Sequence, residues 1–359
     1  MSAADGALAP DEIAARDRRE ARITRVDAAV RKLSKFGFGW TGPLLRLSVG
    51  DNRPEQLRVL RRAVFFPLLG IVAFLVLWGS LAPTVDTSLG TVPGPSQVWS
   101  EAVGLYEEHV AERDRAADFY DRQDVRNAEA VAAGEEPRFR SYTGRPTFFD
   151  QIVTSLKTVA LGFVIATIIA VPVGIMCGLS PSVSAALSPL IQIFKPISPL
   201  AWLPIVTMVV SALYLNTSDA FPKSLVVSAV TVTLCSLWPT LINTALGVSA
   251  IDKDLLNVSR VLQLSTWKKI TRLVLPSSLP LIFTGLRLSL GVGWMVLIAA
   301  EMLAQNPGLG KFVWDEFQNG SSSSLARIMV AVLTIGIIGF LLDRVMYALQ
   351  SAFTYSTNR

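Results

Sequence analysis

Charge is absent from long stretches of this chain. No charged residue lies between Arg62 and Asp86, between Lys157 and Lys195, between Lys195 and Asp219, or between Lys223 and Asp252. From Arg272 to Lys311 only Arg287 and Glu301 intervene. A helix crosses the ~30 Å core of a bilayer with about 20 apolar residues. A buried soluble core does not need five such gaps, so the chain reads as an integral membrane protein. Only 17% of its residues are charged, where a soluble domain carries about 25%. Six spans are expected near 65–83, 153–178, 188–215, 223–247, 278–303 and 327–349, which makes an all-α polytopic membrane bundle. Arg327 and Asp343 leave only 15 uncharged residues in the last span, so its ends are expected to snorkel. The third span carries Pro196, Pro199 and Pro204. Proline is tolerated in a span where neighbouring helices re-satisfy the backbone, which points to a packed bundle.

The loops set an orientation. Residues 1–64 hold 13 Lys/Arg against 8 Asp/Glu, the loop 84–150 holds 7 against 13, and 251–276 holds 5 against 2. Positive loops stay on the cytoplasmic side. The expected division is therefore a cytoplasmic region over 1–64, a first span at 65–83, a periplasmic helical loop over 84–150, a core over 151–350 and a cytoplasmic tail over 351–359. The first 64 residues lack the early apolar core of a signal peptide. Within them, Ile23, Val26, Val30 and Leu33 are spaced for a basic amphipathic helix over 20–36, lying on lipid or on its own protein.

In the outer loop, Pro95 and Ser96 mark a helix start, and Gly134 and Pro137 a stop. Val98, Trp99, Ala102, Leu105 and Tyr106 form a partial apolar stripe, readable either as a docking surface or as a solvated decoration. His109 has no second His or Cys beside it and reads as solvated. Cys177 and Cys235 lie inside spans and read as small apolar filler. "GFGWTG" at 37–42 lacks the strand and helix of a dinucleotide turn. "PGLGKF" at 307–312 lacks the first Gly and the Ser/Thr of a phosphate loop. Neither makes a nucleotide site.

The segment 251–276, "IDKDLLNVSRVLQLSTWKKITRLVLP", joins spans four and five. Leu255, Val258 and Leu262 share one helical face. Ser265 or Thr266 caps a second short helix carrying Trp267, Ile270 and Val274. Pro276 is expected to keep that helix from running on into the span. Two short helices at an angle, with an exposed apolar ridge and basic flanks, suit a groove on a partner; an interfacial helix on lipid is the alternative.

This segment resembles the permease loop of ABC-type importers, E-A-A-x3-G-x9-I-x-L-P. Aligned on Leu275 and Pro276, the pattern places Asn257, Val258 and Ser259 on E-A-A and Gln263 on the Gly, so the Glu and the Gly are both replaced. "SLKTVALGFVIATIIAVPVGIMCGLS" (155–180), "FTGLRLSLGVGWMVLIAAEML" (283–303) and "GLGKFVWDEF" (308–317) resemble the nitrate, bicarbonate, cyanate and sulfonate branch, and nitrate permeases most of all. The resemblance covers about 65–350. It implies a type I importer permease in a bacterial inner membrane, working by alternating access. Two permease copies would surround the path. Each would plant its loop in a cytoplasmic ATP-binding subunit, and a periplasmic or lipid-anchored binding protein would deliver the anion. No cofactor is expected on this chain; ATP and Mg belong to the partner. The ATPase-docking residues would be Asn257, Val258, Ser259, Gln263, Trp267, Ile270, Leu275 and Pro276. Membrane lipid is an expected contact and nucleic acid is not.

Charges inside spans are functional candidates. Arg287 suits a bidentate grip on a planar oxyanion or a tie to a neighbouring carbonyl. Lys157 draws anions inward or snorkels. Glu301, at the outer end of its span, would serve the outer gate or a binding-protein contact. Two other classes stay in view. A stand-alone secondary transporter or channel would want a carboxylate deep in the membrane, and a membrane-embedded enzyme would want a paired His, Cys or carboxylate constellation.

Overall fold

The computed structural model describes residues 22, 24–30, 41–48, 53–87, 90–213, 222–321 and 323–353. It divides into two compact units, Met1–Trp78 with Asp343–Arg359, and Gly79–Leu342. Ile23, Leu33 and most of the 37–42 segment lie outside the described residues. In the first unit, α1 (Gly42–Ser48) precedes α2 (Arg53–Leu60), which continues through one π turn, Arg61–Phe65, into α3 (Phe66–Leu81).

The second unit contains α4 (Pro95–Ala132), α5 (Phe148–Leu179), α6 (Pro181–Phe194), α7 (Pro199–Leu213), α8 (Lys223–Ser249), α9 (Lys253–Val261), α10 (Thr266–Lys269), α11 (Leu275–Ala304) and α12 (Leu309–Asn319). The last helix, α13 (Ser324–Phe353), ends in the first unit. Among the described residues, five helices are long and apolar enough to cross a membrane, and six if the bent pair α6–α7 counts as one span.

α8 is the centre of the bundle, packed along its length against α5 and α11. Its buried face carries as many hydroxyls as leucines and valines: Ser228, Thr231, Thr233, Ser236, Thr240 and Thr244 are all buried. Small residues suit helices packed in lipid, where close backbone approach replaces hydrophobic drive. At Gly285 of α11 an added Cβ would lie 2.8 Å from the Asn243 Cβ and 3.0 Å from the Pro239 carbonyl. That approach repairs a proline. The Thr240 N–H donates to Ser289 Oγ at 3.0 Å, and the same hydroxyl donates to the Ser236 carbonyl. Ser289 thus stands inside the i→i−4 ladder of α8 beside Pro239, as expected of a neighbour re-satisfying a proline-opened backbone.

The third expected span is not one helix. α6 and α7 meet at 102° across residues 195–198. Pro196 and Pro199 supply no amide hydrogens at the break, and each disfavours helix in the residue before it.

α4 starts at Pro95 and stops at Ala132, beside Gly134 with φ +78°. Its expected stripe splits. Val98 and Leu105 are buried, whereas Trp99 is 73% and Tyr106 57% exposed. The buried face continues as polar residues, Glu112 and Gln123. An extended return segment runs back along it. The backbone N–H groups of Arg138, Arg140 and Tyr142 donate to Asn127 Oδ1 (3.0 Å), Gln123 Oε1 (2.7 Å) and Tyr120 Oη (3.1 Å). Tyr142 Oη donates to Glu112 Oε1 at 2.8 Å, which holds that carboxyl below its ordinary range. His109 is not a solvated bystander. Its Nδ1 lies 2.7 Å from Thr147 Oγ1, the N-cap of α5, and its ring packs on Phe149.

Candidate functional site

The segment between α8 and α11 holds one short helix, α9, and a turn into α10, which is the first turn of a longer helix and not a second short one. Asp252 caps α9 through a bond from the Asp254 N–H (2.9 Å), and Ser265 caps α10 through one from the Lys268 N–H (3.4 Å). Between the helices, Gln263 sits at φ +47°. The family pattern has Gly at this position, and the backbone here shows why: a left-handed residue costs roughly 1–2 kcal/mol unless it is glycine. The turn is kept without it. Gln263→Gly is expected to raise stability by about 0.5–1 kcal/mol, after allowance for the greater freedom of glycine in the unfolded chain. Thermal unfolding in detergent reads this out, and a fall would show that the Gln side chain itself holds the turn.

The expected docking residues divide into two sets. Asn257, Val258, Gln263, Trp267 and Pro276 are exposed. Trp267 is 74% exposed, and Val261, missed in the sequence, is 82% exposed beside Leu262. Ser259 is buried and bonded to the Leu256 carbonyl. Ile270 and Leu275 point the other way, packing on a cluster of Ile175, Val248, Ile251 and Val274. The ridge is therefore Leu255, Val258, Val261, Leu262 and Trp267, and the Ile270 side anchors it.

Pro276 does not end the helix. Thr266–Ala304 is one helix of 39 residues. A π turn over Ile270–Val274 lies two residues ahead of Pro276, as the turn over Arg61–Phe65 lies two ahead of Pro67. The wider i→i+5 turn makes room for the proline ring that an α turn would meet with its carbonyl.

At the far end of that helix, Glu301 is fully buried. Ser155 Oγ lies 2.9 and 2.8 Å from its two oxygens, the Gly310 N–H donates at 3.0 Å, and Asn306 Nδ2 lies at 3.5 Å. The Leu309 N–H donates to Ser155 Oγ (2.9 Å), and Asn306 Nδ2 to Thr158 Oγ1 (3.2 Å). The carboxylate thus caps α12 from a neighbouring helix, in the manner of an anion at a helix N-terminus. Buried in this way, it does not face a binding protein, which corrects that half of the sequence expectation and does not touch the outer-gate half. The glycines of "PGLGKF" are explained by the same contact. An added Cβ at Gly308 would lie 2.1 Å from Glu301 Oε1, and one at Gly310 2.1 Å from the Ile298 carbonyl.

Nor do the three candidate path charges converge. Lys157 is exposed on α5. Arg287 is half-buried and already engaged within the chain. It lies 14 residues from Glu301, about 21 Å along α11. Arg327 is not a snorkelling end; it is bound by Glu101 and Glu108 of α4 and by Glu316 of α12.

The family model for the inner membrane component of binding-protein-dependent transport systems matches residues 170–355. The chain belongs to this family. It is 36% identical over 303 residues to the bicarbonate transport permease CmpB of Synechococcus elongatus, covering 83% of this chain and 94% of that one. It is 38% identical over 201 residues to the nitrate import permease NrtB of a Synechocystis species, covering 56% and 68%. A chain of the inward-facing MetNI methionine ABC transporter superposes with a TM-score of 0.50 at 14% identity, covering 58% and 96%. This likeness shows the fold, that of a type I importer permease. The chain is thus an ABC permease of the inner membrane. It is a translocation subunit, with ATP hydrolysis on a separate chain.

Proposed function

We propose that this permease carries a small monovalent oxyanion, nitrate first, by alternating access. Its ridge at Val258, Val261, Leu262 and Trp267 docks on an ATP-binding subunit that holds ATP and magnesium. Two copies pair around the path, both termini are cytoplasmic, and a binding protein delivers the anion at the α4 side. The comparable identity to nitrate and bicarbonate permeases carries the substrate class. Bicarbonate is the second reading, favoured by the longer match to its permease.

Permease, ATPase and binding protein in liposomes decide between them. Labelled nitrate is expected to accumulate only with ATP, and excess bicarbonate to leave its uptake unchanged. Accumulation of labelled bicarbonate without nitrate selects the second reading. Uptake by the permease alone, without ATP, ends both.

A further inference from the structure

The bend in the third span brings together hydrogen-bond donors that no described residue accepts from. Phe194, the last residue of α6, stacks on Trp202 of α7 (ring centroids 5.8 Å apart, planes at 29°) and on Trp238 of α8 (6.4 Å, 4°). Both indole nitrogens are buried, and neither has a partner among the described residues. Buried indole N–H groups normally find one. Trp294 does, donating to the Ile335 carbonyl at 3.0 Å. Among the described residues, the other buried side-chain atoms of the long apolar helices without a partner are Gln151 Oε1, an acceptor in the first turn of α5, and the hydroxyls of Ser228, Ser236 and Thr244. A hydroxyl can turn onto its own helix, as Thr231 does onto the Val227 carbonyl at 2.8 Å. A stacked indole has no such freedom.

Position and charge point the same way. Trp238 lies two residues from the midpoint of α8, about 3 Å along the axis, so the cluster sits near mid-depth. Lys195 follows Phe194 directly and is the only charge between Lys157 and Asp219. It is exposed, and no ion pair engages it among the described residues. A cation at such depth is a functional candidate. The ring faces are electron-rich and repel an anion, whereas the N–H lies on the positive edge. The polar groups of the Lys195, Trp202 and Trp238 side chains donate and do not accept, so they suit an anion and reject a cation.

We propose that Trp202, Trp238 and Lys195 form a mid-membrane station for a small planar oxyanion, whose oxygens take the two indole N–H groups in the ring planes. This rests on the importer reading above. The test uses the complete transporter in liposomes and reads anion moved per ATP hydrolysed. Trp202→Phe and Trp238→Phe keep the stack and delete the donor; each is expected to lower that ratio about tenfold, the worth of one hydrogen bond to a charged group, with binding-protein-stimulated ATPase preserved. Lys195→Gln lowers it and Lys195→Arg restores it. Replacing either indole by the isosteric benzothiophene ring removes only the N–H, and serves should the Phe variants fold poorly. An unchanged ratio in both benzothiophene variants overturns the station alone. Absence of ATP-driven uptake by the unaltered transporter overturns the importer reading and the station with it.

Discussion

Glu301→Ala is expected to cost at least ~3 kcal/mol of stability, because it strands several buried donors at roughly 1–3 kcal/mol each. Ser155 Oγ and the Gly310 N–H lose their acceptor, Asn306 Nδ2 keeps only Thr158 Oγ1, and the N-terminus of α12 loses its cap. Glu301→Gln is expected to fall between. It keeps one acceptor but turns the other into a second donor, facing the Gly310 N–H or the Asn306 amide. Gly310→Ala attacks the same junction sterically, since its Cβ has no room beside the Ile298 carbonyl. The measurement is thermal unfolding of the purified permease in detergent. An unshifted transition for Glu301→Ala would show that α12 is held by something other than this carboxylate.

Trp267→Ala with Val258→Asp is expected to abolish co-purification of the ATPase while leaving the permease folded. Truncating a large aromatic anchor at an interface costs roughly 2–4 kcal/mol, and an aspartate in an apolar groove adds an uncompensated desolvation. Both side chains are exposed in this chain and support little within it. Ile270→Asp makes the contrast. Ile270 packs on the buried Ile175, Val248, Ile251 and Val274, so that variant loses the fold and the partner together. Retention of a stoichiometric ATPase by the Trp267 double variant would remove the ridge as the docking element.

Much of the bundle was legible because one-dimensional signals carried it. Charge-free runs marked the long helices, Pro95 and Gly134 bracketed α4, and Ser265 marked the start of α10. What stayed hidden needed a second element. Nothing local in "AEML" says that Glu301 turns inward; Ser155 lies 146 residues away. The glycines at 308 and 310 were a usable signal, since a pair so close to a buried acid marks close approach as readily as a phosphate loop. Pro276 misled because an isolated proline reads as a stop, while a π turn ahead of it is invisible to periodicity. The cover over the polar face of α4 stayed hidden because it is an extended segment, bonded through backbone N–H groups that carry no sequence signature.

The unbroken helix from Thr266 to Ala304 has a temporal consequence. It spans about 58 Å and has no flexible break where it enters the bilayer, its π turn being wedged against packed side chains. In a permease driven from that tip, a rotation of Trp267 carried along this helix would move Glu301, and the short helix that Glu301 caps, in the same step; the two mouths of the path would then keep one clock, and a single rate constant would describe both.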